Sequence, residues 1–213
     1  MWIERSLALD YQLNTHAIGD QGNQLVLNAY KRAFEQNPDH RWRIEHAQVI
    51  DPADLKLYEK SGIIPSVQPI HATSDMYWAE SRLGSGRMAG AYAYKDLLKH
   101  SGILISGSDF PVEHINPFYG FYAAVSRKDQ KGTPEGGFLP NQKLSREEAL
   151  KSFTIWPAYG SFIENRLGSL EKGKIADFII LDTDIMQCPE SDIWKTKVLE
   201  TYIGGKKVFG RDL

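Results

Sequence analysis

The chain has 213 residues, of which 42% are hydrophobic, and its formal net charge of −2 comes from interspersed acidic and basic residues. This composition allows a core of ordinary size and leaves no basic stripe for nucleic acid and no polybasic run for a membrane. Cys188 is the only cysteine, which excludes an intramolecular disulfide and a cysteine-rich metal framework. No apolar run approaches the roughly 18 residues of a membrane span. The first residues lack the order of a signal peptide, so a genuine N-terminus would indicate a cytoplasmic protein, and the localisation is otherwise unknown.

Four apolar runs in the first half of the chain alternate with helical patterns. The runs cover residues 11–14, 41–50, 63–69 and 103–108. Helices are predicted from Asp20 along the apolar face of residues 25–34, from Ala53 to Lys60 behind the cap Asp51-Pro52, and from Ala91 to His100 before Gly102. Residues 70–90 are predicted to form a long, glycine-containing loop. Strands that alternate with helices in this way predict parallel βα units with right-handed crossovers.

The second half of the chain has a different character. Residues 116–127 are predicted to form an aromatic helix, and residues 131–137 a loop. The stretch Ser145-Arg146-Glu147-Glu148 is a capping box that opens a helix from Ala149 to Thr154, and Pro157 is expected to break the helical run. Short strands are predicted at residues 173–177, 178–181 and 198–203, followed by a hairpin turn at Gly204-Gly205 into residues 206–209.

Two histidines and one aspartate, His16, His46 and Asp109, lie at or near the C-terminal ends of predicted strands. Two imidazoles and a carboxylate suit one divalent transition metal, most often zinc, which lowers the pKa of its bound water to about 7. Asp109 is the candidate to accept the proton of that water and pass it to a leaving group. Each residue alone also has a structural interpretation, as a histidine satisfied in the core or as a helix cap. Their joint occurrence at strand ends favours a site.

Six stretches of the chain carry a family resemblance through their residues and their order. They are NTHAIGD, RIEHAQ, SVQPIH, GSDFPV, LSREEAL and GSLEKGKIAD. Together they resemble the C-terminal part of the metal-dependent amidohydrolase superfamily. Within it, the chain is most similar to amidohydrolase family 3, which includes N-substituted formamide deformylase-like proteins.

The resemblance implies a distorted TIM barrel with a small β-sandwich. Residues 1–165 would be the C-terminal half of a TIM-like (β/α)8 barrel with about four βα units, and residues 166–213 would supply strands of the sandwich. His16 and His46 match metal ligands of the family, and Asp109 matches the residue that binds metal and acts as general base. For His71 the resemblance implies contact with the substrate or stabilisation of a developing oxyanion, with an exposed loop histidine as the alternative. Arg82 is a second candidate substrate contact, with the alternative that it only holds the long loop.

Two family features are absent from this sequence: the His-x-His pair after the first strand and the metal-bridging lysine after the fourth. One ion is therefore expected at most. The leading hypothesis is a hydrolase that cleaves an amide-type C–N bond of a small-molecule substrate by metal-activated water. The alternative is a catalytically incomplete, truncated homologue or half-barrel, which assembles as a homo-oligomer or with a missing N-terminal half because its sheet edges are unpaired. Whether the chain alone is an enzyme stays open at this point.

Overall fold

The computed structural model describes residues 2–34 and 39–211, and its strands form two separate sheets. The strands are Asn14–Ala17 (β1), Arg43–His46 (β2), Ile64–Val67 (β3), Ile105–Ser106 (β4), Phe178–Leu181 (β5), Val198–Ile203 (β6) and Lys206–Gly210 (β7). The helices are Trp2–Ala8 (α1), Asp20–Phe34 (α2), Pro69–Asp75 (α3), Ala79–Leu83 (α4), Tyr94–Ser101 (α5), Pro117–Ser126 (α6), Arg146–Phe153 (α7), Ile155–Gly160 (α8) and Glu190–Ile193 (α9). Short 3₁₀ helices span Pro52–Tyr58, Ser85–Gly90 and Pro140–Gln142.

The first sheet is parallel and has the order β1-β2-β3-β4, so neighbours in the sheet are also neighbours in the chain. This confirms the predicted βα units. The register pairs His16 with Glu45 and Ala17 with His46, which places both histidines at the carboxyl edge of the sheet. Within the described residues, β1 and β4 are its two outer strands.

The second sheet is antiparallel, with the order β5-β6-β7. The predicted turn at Gly204-Gly205 joins its last two strands, and both glycines have positive φ angles of 58° and 77°. The strand predicted at residues 173–177 is wrong, because Gly173 adopts a φ of 99° in a turn and the strand begins only at Phe178. The result is a mixed α/β fold.

The long loop predicted at residues 70–90 is also wrong, because this segment contains helices α3 and α4 and a 3₁₀ helix. Pro69 stands in the first turn of α3, where its missing N–H costs nothing. Gly84, with a φ of 78°, ends α4 and separates it from the 3₁₀ helix. Helices of five to seven residues contain too few turns to give a clear period in the sequence.

Another helix prediction is confirmed. The Ser145 hydroxyl accepts a hydrogen bond from the Glu148 backbone, while the Glu148 side chain accepts one from the Ser145 backbone. The predicted break at Pro157 is wrong in position, because the helical run breaks at Thr154, between α7 and α8, and Pro157 lies within α8. In the part of the chain that the structure describes, none of the helices has the length and apolar character needed to cross a membrane.

Two contacts behind the carboxyl edge of the parallel sheet fix the loops that follow its strands. The buried Asn23 amide donates to the carbonyls of Ala17, Gly19 and Val49 at 2.9–3.2 Å, which ties the loop after β1 to the loop after β2. The Ile50 N–H donates to the Gly90 carbonyl at 2.9 Å. The backbones approach so closely there that a Cβ at Gly90 would lie 1.7 Å from the Ile50 oxygen.

Candidate metal centre

The structure brings the three predicted ligands together. His16 and His46 occupy neighbouring strands, Asp109 follows β4, and all three line one cleft of about 410 Å³. The carboxyl ends of parallel strands meet at one edge of a sheet, so the chain order of these residues becomes a spatial cluster. Their roles as ligands remain predictions.

The tightest group of ligand atoms is formed by His46, His71 and Asp109. One ligand atom from each of these residues lies within 4.8 Å of the others. Two ligands at about 2.1 Å from one tetrahedral ion lie about 3.4 Å apart, so closure around an ion requires the ligand atoms to approach one another by more than about 1 Å. In addition, Nδ1 of His46 is buried with no hydrogen-bond partner among the described residues. The cluster therefore offers two imidazoles, one of them with an unsatisfied buried nitrogen, and a carboxylate. This donor set fits a divalent transition metal.

His16 lies against His46 but outside that tightest group. The two ring centroids are 4.5 Å apart with an interplanar angle of 71°, an edge-to-face contact. Burial, and then the neighbouring His16 ring, lower the pKa of His46. A lowered pKa keeps the imidazole neutral near pH 7, the state in which it binds metal.

His71, predicted as a substrate contact, is held between two carboxylates. Its ring stacks on His46 with centroids 5.9 Å apart. Nδ1 lies 3.1 Å from Oε1 of Glu113, and Nε2 lies 3.6 Å from Oδ2 of Asp109. The Ser74 hydroxyl also donates to Oε1 of Glu113, at 2.5 Å. Sequence reasoning missed Glu113, although its position four residues after Asp109 on the same loop was an available signal.

Asp75, the last residue of α3, is a further carboxylate of the cleft and forms a hydrogen-bond network at its wall. Its Oδ2 accepts hydrogen bonds from the Tyr92 hydroxyl at 2.8 Å and from the Gln48 amide at 3.2 Å. Burial raises the pKa of Asp75 and outweighs these two hydrogen bonds, which act in the opposite direction. Burial also raises the pKa of Tyr92, and its bond to Asp75 adds to the effect. Gln48 and Tyr92 were not predicted as site residues.

Arg82 does not line the cleft. It lies exposed on α4, and the cleft residues nearest to it in the chain are Leu83 and Trp78. Substrate binding by Arg82 therefore stays a prediction, because Arg82 does not line the cleft that holds the other candidates.

Four of the ten non-glycine residues with positive φ angles in the described part of the chain lie in or next to the cleft. Positive φ angles occur at His46 (76°), Ala47 (43°), Tyr92 (49°) and Asp109 (58°). Residues with a Cβ adopt this region rarely, and each such residue costs about 1–3 kcal/mol. Their occurrence at both ends of the ligand cluster is typical of a functional site.

Comparison with known proteins identifies the family. The sequence profile of the amidohydrolase family matches residues 1–209. The chain belongs to this family. This confirms the resemblance found in the sequence motifs. Among curated amidohydrolase relatives, the putative amidohydrolase YtcJ of Bacillus subtilis (strain 168) is 31% identical over 198 residues, which are 93% of this chain and 37% of the relative.

Two further relatives cover the chain to the same extent. The protein LONG AFTER FAR-RED 3 of Arabidopsis thaliana is 37% identical over 201 residues, or 93% of this chain and 34% of the relative. The N-substituted formamide deformylase of Arthrobacter pascens is 28% identical over 207 residues, or 94% of this chain and 37% of the relative. The chain thus spans 34–37% of the length of these curated relatives.

Solved structures show the same amidohydrolase fold. An uncharacterized metal-dependent hydrolase from Pyrococcus furiosus superimposes with a TM-score of 0.74 at 33% identity, covering 87% of this chain and 36% of that one. A second, from Pyrococcus horikoshii OT3, gives a TM-score of 0.75 at 32% identity, covering 88% and 37%. Family membership and these neighbours support a hydrolase.

Proposed function

We propose that the chain forms the metal-binding part of a hydrolase that cleaves an amide-type C–N bond of a small molecule. The observation that carries this proposal is that His16, His46 and Asp109 line one cleft at the carboxyl edge of a parallel sheet. His16 is our proposed third ligand beside His46 and Asp109. It matches a metal ligand of the family, and its ring lies against His46.

One divalent ion, zinc by the chemistry of two imidazoles and a carboxylate, would supply Lewis acidity and lower the pKa of water there. Asp109 accepts a proton and returns it to the leaving nitrogen. The side chain of Asp109 is 39% exposed, so it reaches both the cleft and the substrate. His71 contacts the reacting groups from the opposite side, and the exposed ring of Trp78 lies at the cleft wall.

We further propose that residues 1–165 are half of a TIM-like barrel and that residues 166–213 are strands of a small sandwich. The support is the order β1-β2-β3-β4, which is that of four consecutive βα units with β1 and β4 unpaired on their outer sides among the described residues. A closed barrel contains eight such strands and leaves no edge.

The second candidate function, assembly, rests on apolar exposure. Ile179, Ile180, Ile203, Val208 and Phe209 of the three-stranded sheet are between 42% and 58% exposed. Apolar surface of this kind on adjacent strands marks an interaction site. In this proposal the chain pairs with a second copy or with a polypeptide that supplies the other half of the barrel, and it is inactive without that partner.

Metal analysis of the purified chain tests the proposed function. We expect about one zinc ion per chain in the wild type and none in His46→Ala. The matched control is His100→Ala, because His100 is hydrogen-bonded to Glu59 away from the cleft and its loss should leave the zinc content unchanged. Equal zinc content in all three proteins would contradict the site.

Activity and assembly are measured on the same preparations. The zinc-loaded protein should hydrolyse small N-acyl and N-formyl amines, and Asp109→Asn should not. Sedimentation at micromolar concentration should give a dimer or a larger species. If zinc is bound without any hydrolysis, and hydrolysis appears only when a separate N-terminal half is added, assembly is the better account.

A further inference from the structure

Glu113 has a contact pattern that the proposed reaction does not use. Its Oε1 receives the Ser74 hydroxyl at 2.5 Å and lies 3.1 Å from Nδ1 of His71. The Glu113 side chain is only 16% exposed, and its contact with His71 is partly buried, whereas its contact with Ser74 is exposed. Ser74 belongs to the same helix as His71, which makes Glu113 a bridge between α3 and the loop that follows Asp109.

The two ring nitrogens of His71 lie at different distances from their nearest carboxylate oxygens. The Nδ1–Glu113 distance of 3.1 Å is that of a hydrogen bond, whereas the Nε2–Asp109 distance of 3.6 Å is too long for one. An ionised glutamate only accepts hydrogen bonds, so the atom that donates to it must carry the proton. The proton of a neutral His71 therefore belongs on Nδ1, and the lone pair of Nε2 faces Asp109.

We propose that Glu113 is a positioning residue that fixes His71 in the Nδ1–H tautomer and thereby directs an unprotonated Nε2 toward Asp109. The carboxylate that orients one ring nitrogen decides what the other nitrogen can do. Nε2 of His71 therefore remains a hydrogen-bond acceptor beside Asp109, the carboxylate that accepts and returns the proton in the proposed function. The consequence for catalysis rests on the proposed function, whereas the tautomer rests only on contacts within this chain.

The tautomer is measured directly by long-range ¹H–¹⁵N correlation spectra of the uniformly ¹⁵N-labelled chain. The sequence holds six histidines, and His71→Asn identifies the signals of His71 by their loss. We expect the wild type to show a protonated Nδ1 and an unprotonated Nε2 at His71.

Three variants separate hydrogen bonding from charge. Glu113→Ala should move the proton of His71 to Nε2, the tautomer that an unconstrained histidine prefers. Glu113→Gln keeps an acceptor oxygen and should retain the Nδ1–H form. The matched control, Asp75→Asn, removes a carboxylate from the same cleft without touching Nδ1 and should leave the tautomer unchanged. Ser74→Ala, which removes the other anchor of Glu113, should give a mixture of both tautomers.

A wild-type His71 protonated on Nε2, or an unchanged tautomer in Glu113→Ala, would overturn the proposal. So would a tautomer that changes in Asp109→Asn instead, since Asp109 would then set it. Zinc content measured on the same samples distinguishes this failure from failure of the proposed function. If the expected tautomer is found without any bound zinc, the role of Glu113 stands and the proposed metal site is wrong. If zinc is bound but the tautomer is not the expected one, the metal site stands and the role of Glu113 is wrong.

Kinetics provide a second measurement where the zinc-loaded protein is active. Glu113→Ala should lower kcat by roughly 10- to 100-fold with KM nearly unchanged. Glu113→Gln should regain most of the lost rate. Equal losses in both variants would mean that the charge of Glu113, and not its hydrogen bond, carries the effect, which contradicts a positioning role.

Discussion

His16 lies edge-to-face against His46, with ring centroids 4.5 Å apart, although the two residues are 30 positions apart in the chain. The contact follows from the parallel register of β1 and β2, which pairs His46 with Ala17, the neighbour of His16. The ring of His71 also stacks on His46, with centroids 5.9 Å apart. The metal chemistry of the cleft therefore depends on which of these two flanking rings contributes a ligand.

The first prediction concerns that choice. His16→Ala and His46→Ala should each weaken zinc binding by about 100-fold or more, because each removes one of three proposed ligands. His71→Ala should weaken it by less than about 10-fold, since in the proposed function His71 contacts the substrate and is not a ligand of the ion. Competition of the protein with a chromophoric chelator for zinc measures all three affinities. The opposite order, with His71→Ala abolishing binding and His16→Ala leaving it intact, would assign the third ligand to His71.

The second prediction concerns the buried amide of Asn23. Asn23→Ala removes the donor that links the loops after β1 and β2, and the buried carbonyls of Ala17 and Val49 lose this hydrogen bond. We expect a loss of about 2–3 kcal/mol in the free energy of unfolding, measured by urea denaturation. Asn28→Ala, on the exposed face of the same helix, is the matched control and should change stability by less than about 0.5 kcal/mol. Equal effects would show that the link between the loops is not stabilising.

The third prediction concerns the close approach of Gly90 to Ile50. A Cβ at residue 90 would lie 1.7 Å from a backbone oxygen, which no side-chain rotation relieves. Gly90→Ala should therefore cost about 3 kcal/mol and lower the Tm by several degrees. Gly86→Ala in the same 3₁₀ helix meets no atom within 4 Å and should be nearly neutral. A stable Gly90→Ala protein would mean that the two backbones separate easily.

The fourth prediction is a pH dependence at the capping box. Burial alone would raise the pKa of Glu148, but the Lys95 ammonium at 2.5 Å and the Ser145 backbone outweigh it and lower the pKa. A lowered folded-state pKa gives stability that is present above the ordinary pKa of about 4.3 and is lost as the pH falls through the folded value. Glu148→Gln should thus cost about 1 kcal/mol at pH 7, and the difference should shrink below about pH 4.3.

Glu147→Gln is the control for this measurement. The Glu147 side chain is 71% exposed and pairs only with Lys151 on the helix surface, so its replacement should change stability by less than about 0.5 kcal/mol at either pH. Denaturant unfolding at pH 7 and at about pH 4 compares the two variants. A Glu148→Gln deficit that is the same at both pH values would contradict the contribution of the ionised carboxylate.

The sequence predicts the parallel sheet well because each strand is an apolar run and each intervening helix has a cap or a stop signal. His16, His46 and Asp109 could be placed together because strand ends of a parallel sheet converge. In contrast, helices α3 and α4 were predicted as a loop because each has at most two turns. Local patterns do not reveal such short helices, whose stability comes from tertiary packing.

Local sequence patterns did not predict the hydrogen-bond partners of the site residues. Glu113 meets His71 across 42 positions of the chain, and Tyr92 meets Asp75 across 17. Such contacts depend on how loops fold over the sheet, which neither periodicity nor spacing encodes. The exposed position of Arg82 was unpredictable for the same reason. Tertiary packing turns Leu83, and not Arg82, toward the cleft.

The left-handed backbone at His46 and Asp109 has a consequence for how this fold tolerates change. Glycine adopts that conformation without steric cost, so a substitution that discards the functional side chain also removes a local strain of about 1–3 kcal/mol. Selection for stability alone would therefore tend to erase these two residues. Under the proposed function, natural or laboratory variants that keep His46 and Asp109 despite this backbone strain are the ones expected to bind zinc.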